Sequence, residues 1–218
     1  MIRRKDLLQM IEEGESMYCE FKRRFSSPEK IAREMMAFAN TRGGFVLFGI
    51  DDNKEVIGVE SEKGETELIL DAANNYIEPP LDISIQYINI ENKEIVVVEV
   101  PESDKKPHRL QDYINEFDIT KAVVCIRVND KSVQASKEMV RIMRAQANNL
   151  ELKKYILGNN EKKVFDYLAK NERITVKELS FLSNISERRA SRTLVKMVRA
   201  NLLAIHTKDN GEEFFTGI

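Results

Sequence analysis

Apolar positions along the first quarter of the chain change their spacing twice. Ile2, Leu7, Leu8 and Ile11 fall at helical intervals and Gly14 follows, which predicts a short amphipathic helix over 2–13. From residue 17 the period drops to two: Met17, Cys19 and Phe21 share one face of a short strand, and Tyr18, Glu20 and Lys22 the other. The first set is assigned to the core. Ser26-Ser27-Pro28-Glu29 carries the start signals of a helix, with a serine cap, proline in the first turn and an acid near the positive end. That helix, over 31–39, buries Ile31, Met35, Phe38 and Ala39 and stops at Asn40-Thr41-Arg42-Gly43-Gly44. Residues 45–50 are almost wholly apolar, as in a central strand covered on both faces. Asp51-Asp52-Asn53-Lys54 turns the chain, and 55–59 is expected to return as the second strand of a hairpin.

The pattern continues with a helix over 65–77, ending before Glu78-Pro79-Pro80, an alternating strand over 83–90, and a valine-rich strand over 94–100. Residues 101–117 read as polar and irregular. A strand over 121–128, a turn at Asn129-Asp130-Lys131-Ser132 and a helix over 135–155 close the segment. Strands and helices intermix with hairpins here, which leaves α/β and α+β open. Gly158-Asn159-Asn160 is the expected boundary, giving domains 1–157 and 158–218. The second has helices over 161–170, 176–183 and 187–200. Strands at 202–207 and 212–216 flank Lys208-Asp209-Asn210-Gly211, where Asn-Gly is a strong hairpin signal. Three helices followed by a two-stranded wing predict a winged helix-turn-helix.

Charge changes this picture only by its distribution. The net formal charge is −2, but residues 159–218 hold eleven basic and eight acidic side chains, and the rest twenty-three and twenty-eight. A basic C-terminal third on an acidic body is the arrangement of an appended nucleic-acid module. Cys19 and Cys125 are too few for a disulfide framework. No apolar run reaches the ~20 residues of a membrane span, and no apolar signal core follows Met1-Ile2-Arg3-Arg4-Lys5-Asp6. The expectation is a cytoplasmic protein with no membrane partner.

Three features carry candidate chemistry. The third helix of the C-terminal domain keeps Ala190, Leu194, Met197 and Val198 inward. It turns Arg188, Arg189, Arg192, Lys196 and Arg199 outward, with Ser191 and Thr193 nearby and Glu187 as the single acid. Such a helix contacts phosphates and guanine edges in a major groove; the plainer reading is a solvated charged face. Glu15, Glu20, Asp51 and Asp52, with Lys22, form an acidic set at two strands. Hard cations take carboxylate oxygens, and phosphodiester cleavage needs a metal and a nearby cation. Without further information, ordinary solvated charges at strand ends describe these residues better. Asn40-Thr41-Arg42-Gly43-Gly44 offers backbone amides and an arginine to a phosphate, against the plainer reading of a helix C-cap and tight turn.

Several strings together resemble the Schlafen/AlbA-type DNA-binding domain. They are Glu15-Ser16 with Glu20-Phe21-Lys22, Ala37-Phe38-Ala39-Asn40-Thr41 with Gly43-Gly44, Phe48-Gly49-Ile50-Asp51-Asp52, and Ile57-Gly58. Val100-Pro101-Glu102-Ser103 with Pro107, and Ile126-Arg127-Val128 running to Ala135-Ser136, fit as well. The resemblance covers about residues 10–150. It implies an α+β fold with a mixed sheet that binds nucleic acid. Relatives of this type often carry a C-terminal winged helix and are usually described as transcriptional regulators. Schlafen-family nucleases cut structured RNA with a carboxylate triad and a divalent metal. Residue by residue, that triad falls on Glu15, Glu20 and Asp51 or Asp52, with Asp52 preferred for sharing strand parity with Phe48 and Ile50, and the lysine on Lys22. Those nucleases present two lobes where this chain has one, so the resemblance implies a homodimer. The leading expectation is a DNA-binding transcriptional regulator that needs no cofactor. It would grip DNA through Arg188, Arg189, Arg192, Lys196, Arg199 and Lys208, aided by Lys22, Arg23, Arg24 and Arg42. The alternative is a nuclease using Mg²⁺ or Mn²⁺ at Glu15, Glu20 and Asp52.

Overall fold

The computed structural model describes residues 1–114, 116–147 and 155–218. It divides into two compact units, Met1–Gln134 and Ala135–Ile218. In chain order the first unit runs α1 (Arg4–Glu13), β1 (Cys19–Lys22), α2 (Pro28–Asn40), β2 (Gly44–Phe48), α3 (Glu62–Asn75), β3 (Ile77–Glu78), β4 (Ser84–Ile90), β5 (Lys93–Val100), β6 (Arg109–Leu110), β7 (Cys125–Val128) and β8 (Lys131–Gln134). The second holds α4 (Lys137–Ala147), α5 (Asn159–Leu168), α6 (Val176–Ser183), α7 (Glu187–Arg199), β9 (Leu203–Thr207) and β10 (Glu213–Gly217).

A mixed four-stranded sheet, ordered β1-β2-β5-β4, forms the centre of the first unit. Strands β1 and β2 are parallel, with Glu20 beside Val46 and Lys22 beside Phe48, and α2 makes the crossover between them. The other pairs are antiparallel. Strand alternation then fills both faces. Cys19, Phe21, Leu47, Ile95 and Val97 pack under Leu7 and Ile11 of α1. Val46, Phe48, Val96, Val98 and Val100 pack under α2 and α3, against Ile31, Met35, Phe38 and Ile69. The face that carries Glu20 is therefore also covered. Its expected placement on a non-core face is corrected: Glu20 is 8% exposed.

The end of α2 is tied down by Asn40, which is buried. Its amide nitrogen donates to the carbonyls of His108 (2.9 Å) and Cys125 (3.0 Å), and its oxygen accepts from the His108 amide (2.8 Å). His108 is itself a buried strut. Its Nδ1 lies 2.7 Å from the Pro79 carbonyl and its Nε2 2.6 Å from Ser103 Oγ. A carbonyl only accepts, so Nδ1 carries the proton and Nε2 accepts from the serine hydroxyl. The two glycines before β2 answer packing. Gly43 has φ +71° and its amide donates to the Phe38 carbonyl, and a Cβ on Gly44 would lie 2.4 Å from the Phe38 ring.

The expected return strand over 55–59 is reduced to one bridge, Ile50 to Val56. The Gly49 carbonyl instead accepts from both Ile57 and Gly58, and a Cβ on Gly49 would lie 3.0 Å from the Gly58 Cα. That close approach bends the chain away before a ladder can form. The strand expected over 121–128 begins only at Cys125, because the Asp118 carbonyl holds the Lys121 and Ala122 amides in a turn. Lys131 and Ser132, expected in a turn, belong to β8, which pairs with β7.

In the second unit, Val164, Leu179, Ala190, Leu194 and Met197 of the helices close a core with Leu203 and Phe215 of the β9–β10 hairpin. Ile174 bridges to Phe215, fixing the hairpin to the segment that precedes α6. Thr175 caps α6 with a reciprocal Glu178 bond, Asn184 ends it in the left-handed conformation (φ +50°), and Ser186 caps α7. The boundary expected at Gly158 lies inside this unit. Helix α4 belongs here because Arg141 donates to Ser191 Oγ at 2.8 Å and Ser191 donates to Glu138, joining α4 to α7. The remainder of the helix expected over 135–155, residues 148–154, lies outside the described residues.

Two outcomes are expected. Asn40→Ala leaves the His108 amide and two carbonyls without their partner, and should lower the urea-unfolding free energy by about 2–4 kcal/mol. Burial also holds the His108 imidazole below its ordinary pKa of 6.5. The folded state therefore binds its proton later than the unfolded chain. This contribution is complete above pH 6.5 and is lost as pH falls from there through the depressed folded value. Denaturation midpoints measured from about pH 7.5 to about pH 5, roughly the span of one histidine titration, should fall less steeply in His108→Gln than in the natural chain.

Candidate nucleic-acid interface and the acidic cluster

The acidic cluster is built on Arg127 of β7, which sequence reasoning did not single out. Its side chain is fully buried. Nη1 donates to Glu20 Oε2 at 2.9 Å and to Ser132 Oγ at 3.1 Å, and lies 3.4 Å from Glu34 Oε2. Nη2 donates to the Ser16 carbonyl at 2.7 Å. The guanidinium carbon sits 4.5 Å from the centroid of the Phe38 ring, a cation–π placement. The Arg127 amide donates to Thr41 Oγ1 at 2.8 Å, whose hydroxyl donates to the Ala37 carbonyl. Lys22 bonds the other oxygen of Glu20, and Ser132 donates to Glu34. Two carboxylates and two cations thus neutralise one another in a largely dry pocket.

The other acids lie around this knot. Glu15 Oε1 accepts from the Phe21 amide at 2.9 Å. Burial pushes its carboxyl above the usual range, the Phe21 bond opposes this, and the charges of Glu20 and Asp52 add to it against that of Lys22. Asp52 is exposed in the turn after Ile50, where Asp51 Oδ1 holds the Asn53 and Glu55 amides. Glu15, Glu20, Lys22 and Asp52 therefore share one electrostatic neighbourhood. A metal does not fit it. Both oxygens of Glu20 already serve cations and one of Glu15 serves a backbone amide. Among the described residues no group of three His, Cys, Asp or Glu side chains is placed to hold an ion. The metal set Glu15, Glu20 and Asp52 is thus brought into one neighbourhood in which Arg127 and Lys22 already supply the positive charge beside Glu20.

The basic residues expected to aid DNA contact in this unit do not converge. Arg23 and Arg24 are exposed just past the end of β1. Arg42 is exposed in the turn before β2, its Nη1 3.5 Å from Tyr18 Oη. Because β1 and β2 run parallel, these sites fall at opposite ends of the strand pair, about 10 Å or more apart for a four-residue strand. Nor is the Gly43-Gly44 turn a phosphate cradle. The Gly43 amide is used by Phe38, the Phe45 amide by Tyr18, and a Cβ on Gly43 would lie 2.7 Å from the Glu102 nitrogen.

In the second unit the basic residues do align. Arg188, Arg189, Arg192 and Lys196 are exposed on α7 and Arg199 is partly so. Spacings of three and four place Arg189, Arg192 and Lys196 on one face. No ion pair engages Arg188, Arg189, Arg192 or Lys196 among the described residues. Ser191 and Thr193 do not join them: both are buried, Ser191 bonded to α4 and Thr193 Oγ1 to the Arg189 carbonyl. Lys208 stands at the hairpin tip, 3.0 Å from Glu212, a surface pair of small worth.

Arg127→Lys replaces a forked donor with a single ammonium and should destabilise the first unit by about 2 kcal/mol or more; Arg127→Ala, which strands Glu20 and Glu34, should cost about 3–5 kcal/mol. Chemical denaturation checks both. A loss under ~0.5 kcal/mol, the scale of an ordinary surface substitution, would contradict the assignment of Arg127 as the central strut.

Two solved structures are similar over part of the chain. One, from solution NMR, is the N-terminal domain of a RecG-related protein from Nitrosomonas europaea. It is 24% identical, with a TM-score of 0.44 over 54% of this chain and 84% of that one. The other is the crystal structure of the DIP2311 protein from Corynebacterium diphtheriae, 19% identical, with a TM-score of 0.42 over 60% of this chain and 28% of that one. The family described as Schlafen, AlbA_2 matches residues 15–136. That match takes in more than half of the chain, from the first glutamate of the acidic cluster to the residues just past β8, and the chain belongs to the Schlafen AlbA_2 family.

Proposed function

We propose that this protein is a DNA-binding transcriptional regulator acting as a homodimer, with Ala135–Ile218 as its winged helix-turn-helix. The observation that carries this reading is the outward face of α7, where Arg188, Arg189, Arg192 and Lys196 are exposed and outside any ion pair among the described residues. The order of elements supports it. Helix α6, the three-residue turn Asn184-Ile185-Ser186, α7 and the β9–β10 hairpin follow the sequence of a helix-turn-helix with a wing. In that geometry α7 enters the major groove, its arginines reaching phosphates and guanine edges, while Lys208 approaches the flanking backbone. Membership of the Schlafen AlbA_2 family supports nucleic acid as the partner class.

The metal-dependent nuclease reading is weaker on this chain. Its central carboxylate, Glu20, is engaged by Arg127 and Lys22, so no free oxygen is directed to an ion. Lys22 serves Glu20 and contributes to DNA contact only if that pair opens.

Fluorescence anisotropy with labelled duplex DNA tests the proposal. Arg189→Ala combined with Arg192→Ala should weaken binding roughly 10- to 100-fold and reduce the slope of log affinity against log salt by about 2. Glu20→Gln should leave labelled tRNA uncut with or without Mn²⁺, as should the natural chain. Unchanged, salt-independent affinity in the double variant would sink the DNA-binding reading, and Mn²⁺-dependent cleavage abolished by Glu20→Gln would revive the nuclease.

A further inference from the structure

The four-stranded sheet has two edges, and they are treated differently. At the β1 edge the preceding residues fold back: the Ser16 amide donates to the Cys19 carbonyl at 2.9 Å, and Arg127 Nη2 occupies the Ser16 carbonyl. The β4 edge carries none of the usual guards. Its seven residues, Ser84-Ile85-Gln86-Tyr87-Ile88-Asn89-Ile90, include no charge and no proline, where natural edges are commonly blunted by Lys, Pro or bulges. Its register with β5 is unbroken from Ser84 opposite Glu99 to Ile90 opposite Lys93, without a bulge.

That register decides which backbone groups are free. Glu91 and Asn92 form a two-residue turn with φ of +52° and +64°, both left-handed as a type I′ hairpin requires. Ile90 and Lys93 are then a hydrogen-bonded pair, and the ladder alternates from there. Ser84, Gln86, Ile88 and Ile90 direct their amides and carbonyls to β5. Ile85, Tyr87 and Asn89 direct theirs outward. Tyr87 is the middle residue of the seven; it is 47% exposed, with its hydroxyl 2.8 Å from Thr66 Oγ1.

We propose that the β4 edge is the homodimer interface. Two copies pair antiparallel about a two-fold axis at Tyr87, and the two sheets become one continuous sheet of eight strands. An isologous contact needs a surface complementary to itself, and an uncharged antiparallel edge centred on one residue meets that need. Tyr87 faces Tyr87 of the second copy, Ile85 faces Asn89, and Ser84 faces Ile90, so the strands overlap along their whole length. Each outward-facing pair exchanges two backbone hydrogen bonds, and the facing tyrosines add an aromatic cross-strand contact. The inference names the interface of the homodimer proposed above and is independent of whether α7 contacts DNA.

Sedimentation velocity from low micromolar to high micromolar concentration tests it, with three variants at Tyr87 and one control at Asn53. The natural chain should dimerise. Tyr87→Lys puts like charges face to face on the axis and should weaken dimerisation at least about tenfold, with an unchanged circular dichroism spectrum. Tyr87→Pro, at a position whose amide does not bond β5, should do the same. In Tyr87→Cys the two α-carbons would lie about 5.5 Å apart, within disulfide range, so mild oxidation should give a covalent dimer. Asn53→Cys, in the exposed turn, should not. A natural chain that stays monomeric overturns the proposal. So does a dimer that survives Tyr87→Lys, or a Tyr87→Cys variant that cross-links no faster than Asn53→Cys.

Discussion

Arg127 is a buried cation that holds four separate parts of the first unit to one point. Its guanidinium reaches the β1 carboxylate, the α2 carboxylate, the β8 hydroxyl and the carbonyl of Ser16, while the α2 ring of Phe38 lies beneath it. Removing an arginine from water carries a penalty of several kcal/mol, which an ion pair repays only when its hydrogen bonds are well made. Here the repayment is shared. Glu20 and Glu34 supply charge, Lys22 balances the excess, and Ser132 and Ser16 supply neutral acceptors. Such a knot is weak as a source of net stability but demanding as a specification, because displacing any one element leaves an uncompensated charge in a dry site.

The same geometry explains most of the family motif without chemistry. Phe38 is flat against both Arg127 and Gly44, and a side chain at Gly44 would collide with the ring. Asn40 clamps the loop at His108 to β7. Thr41 receives the Arg127 amide. Gly49 and Gly58 approach each other closely where the chain leaves β2. These residue types are fixed by close packing and buried hydrogen bonds. A motif of this kind records an architecture, and it is compatible with a nucleic-acid-binding role held elsewhere in the chain.

What was legible in the sequence was local. Ser27 caps α2 where the start signal Ser26-Ser27-Pro28-Glu29 placed a serine cap, and the Asn210-Gly211 turn joins the two final strands. The continuous apolar run over 45–50 announced a central strand covered on both faces, as β2 is. What escaped depended on partners distant in sequence. Glu20 and Arg127 are separated by 107 positions, so strand parity could place the Glu20 side chain on a face but could not say what covered that face. A basic residue in the otherwise apolar run Cys125-Ile126-Arg127-Val128 was the available signal, since a charge in a strand with no exposed face must find a counter-charge. Arg23, Arg24 and Arg42 show the converse: grouped by sequence reasoning, they are set apart by the direction of β1 and β2.

The two units use charge differently. In Met1–Gln134 Arg127 and Lys22 are engaged by Glu20 and Glu34, while Arg23, Arg24 and Arg42 stay exposed. In Ala135–Ile218 two acids, Glu213 and Glu138, are partly covered and bonded, while Asp166, Glu172, Glu178, Glu187, Asp209 and Glu212 are exposed. Glu213 is half-buried beside Ser136, its carboxyl pushed up to about 7 by desolvation, with the charge of Glu138 adding to this against the Ser136 bonds. Glu138 is occupied by Arg141 and Ser191. The positive character of this unit is therefore local: it is gathered on α7, where Arg188, Arg189, Arg192 and Lys196 are exposed beside the single acid Glu187. An overall net charge of −2 conceals that difference. Electrostatic attraction depends on the local field within a Debye length of about 8–10 Å, so in the proposed DNA contact the exposed face of α7, not the sum over the chain, would set it.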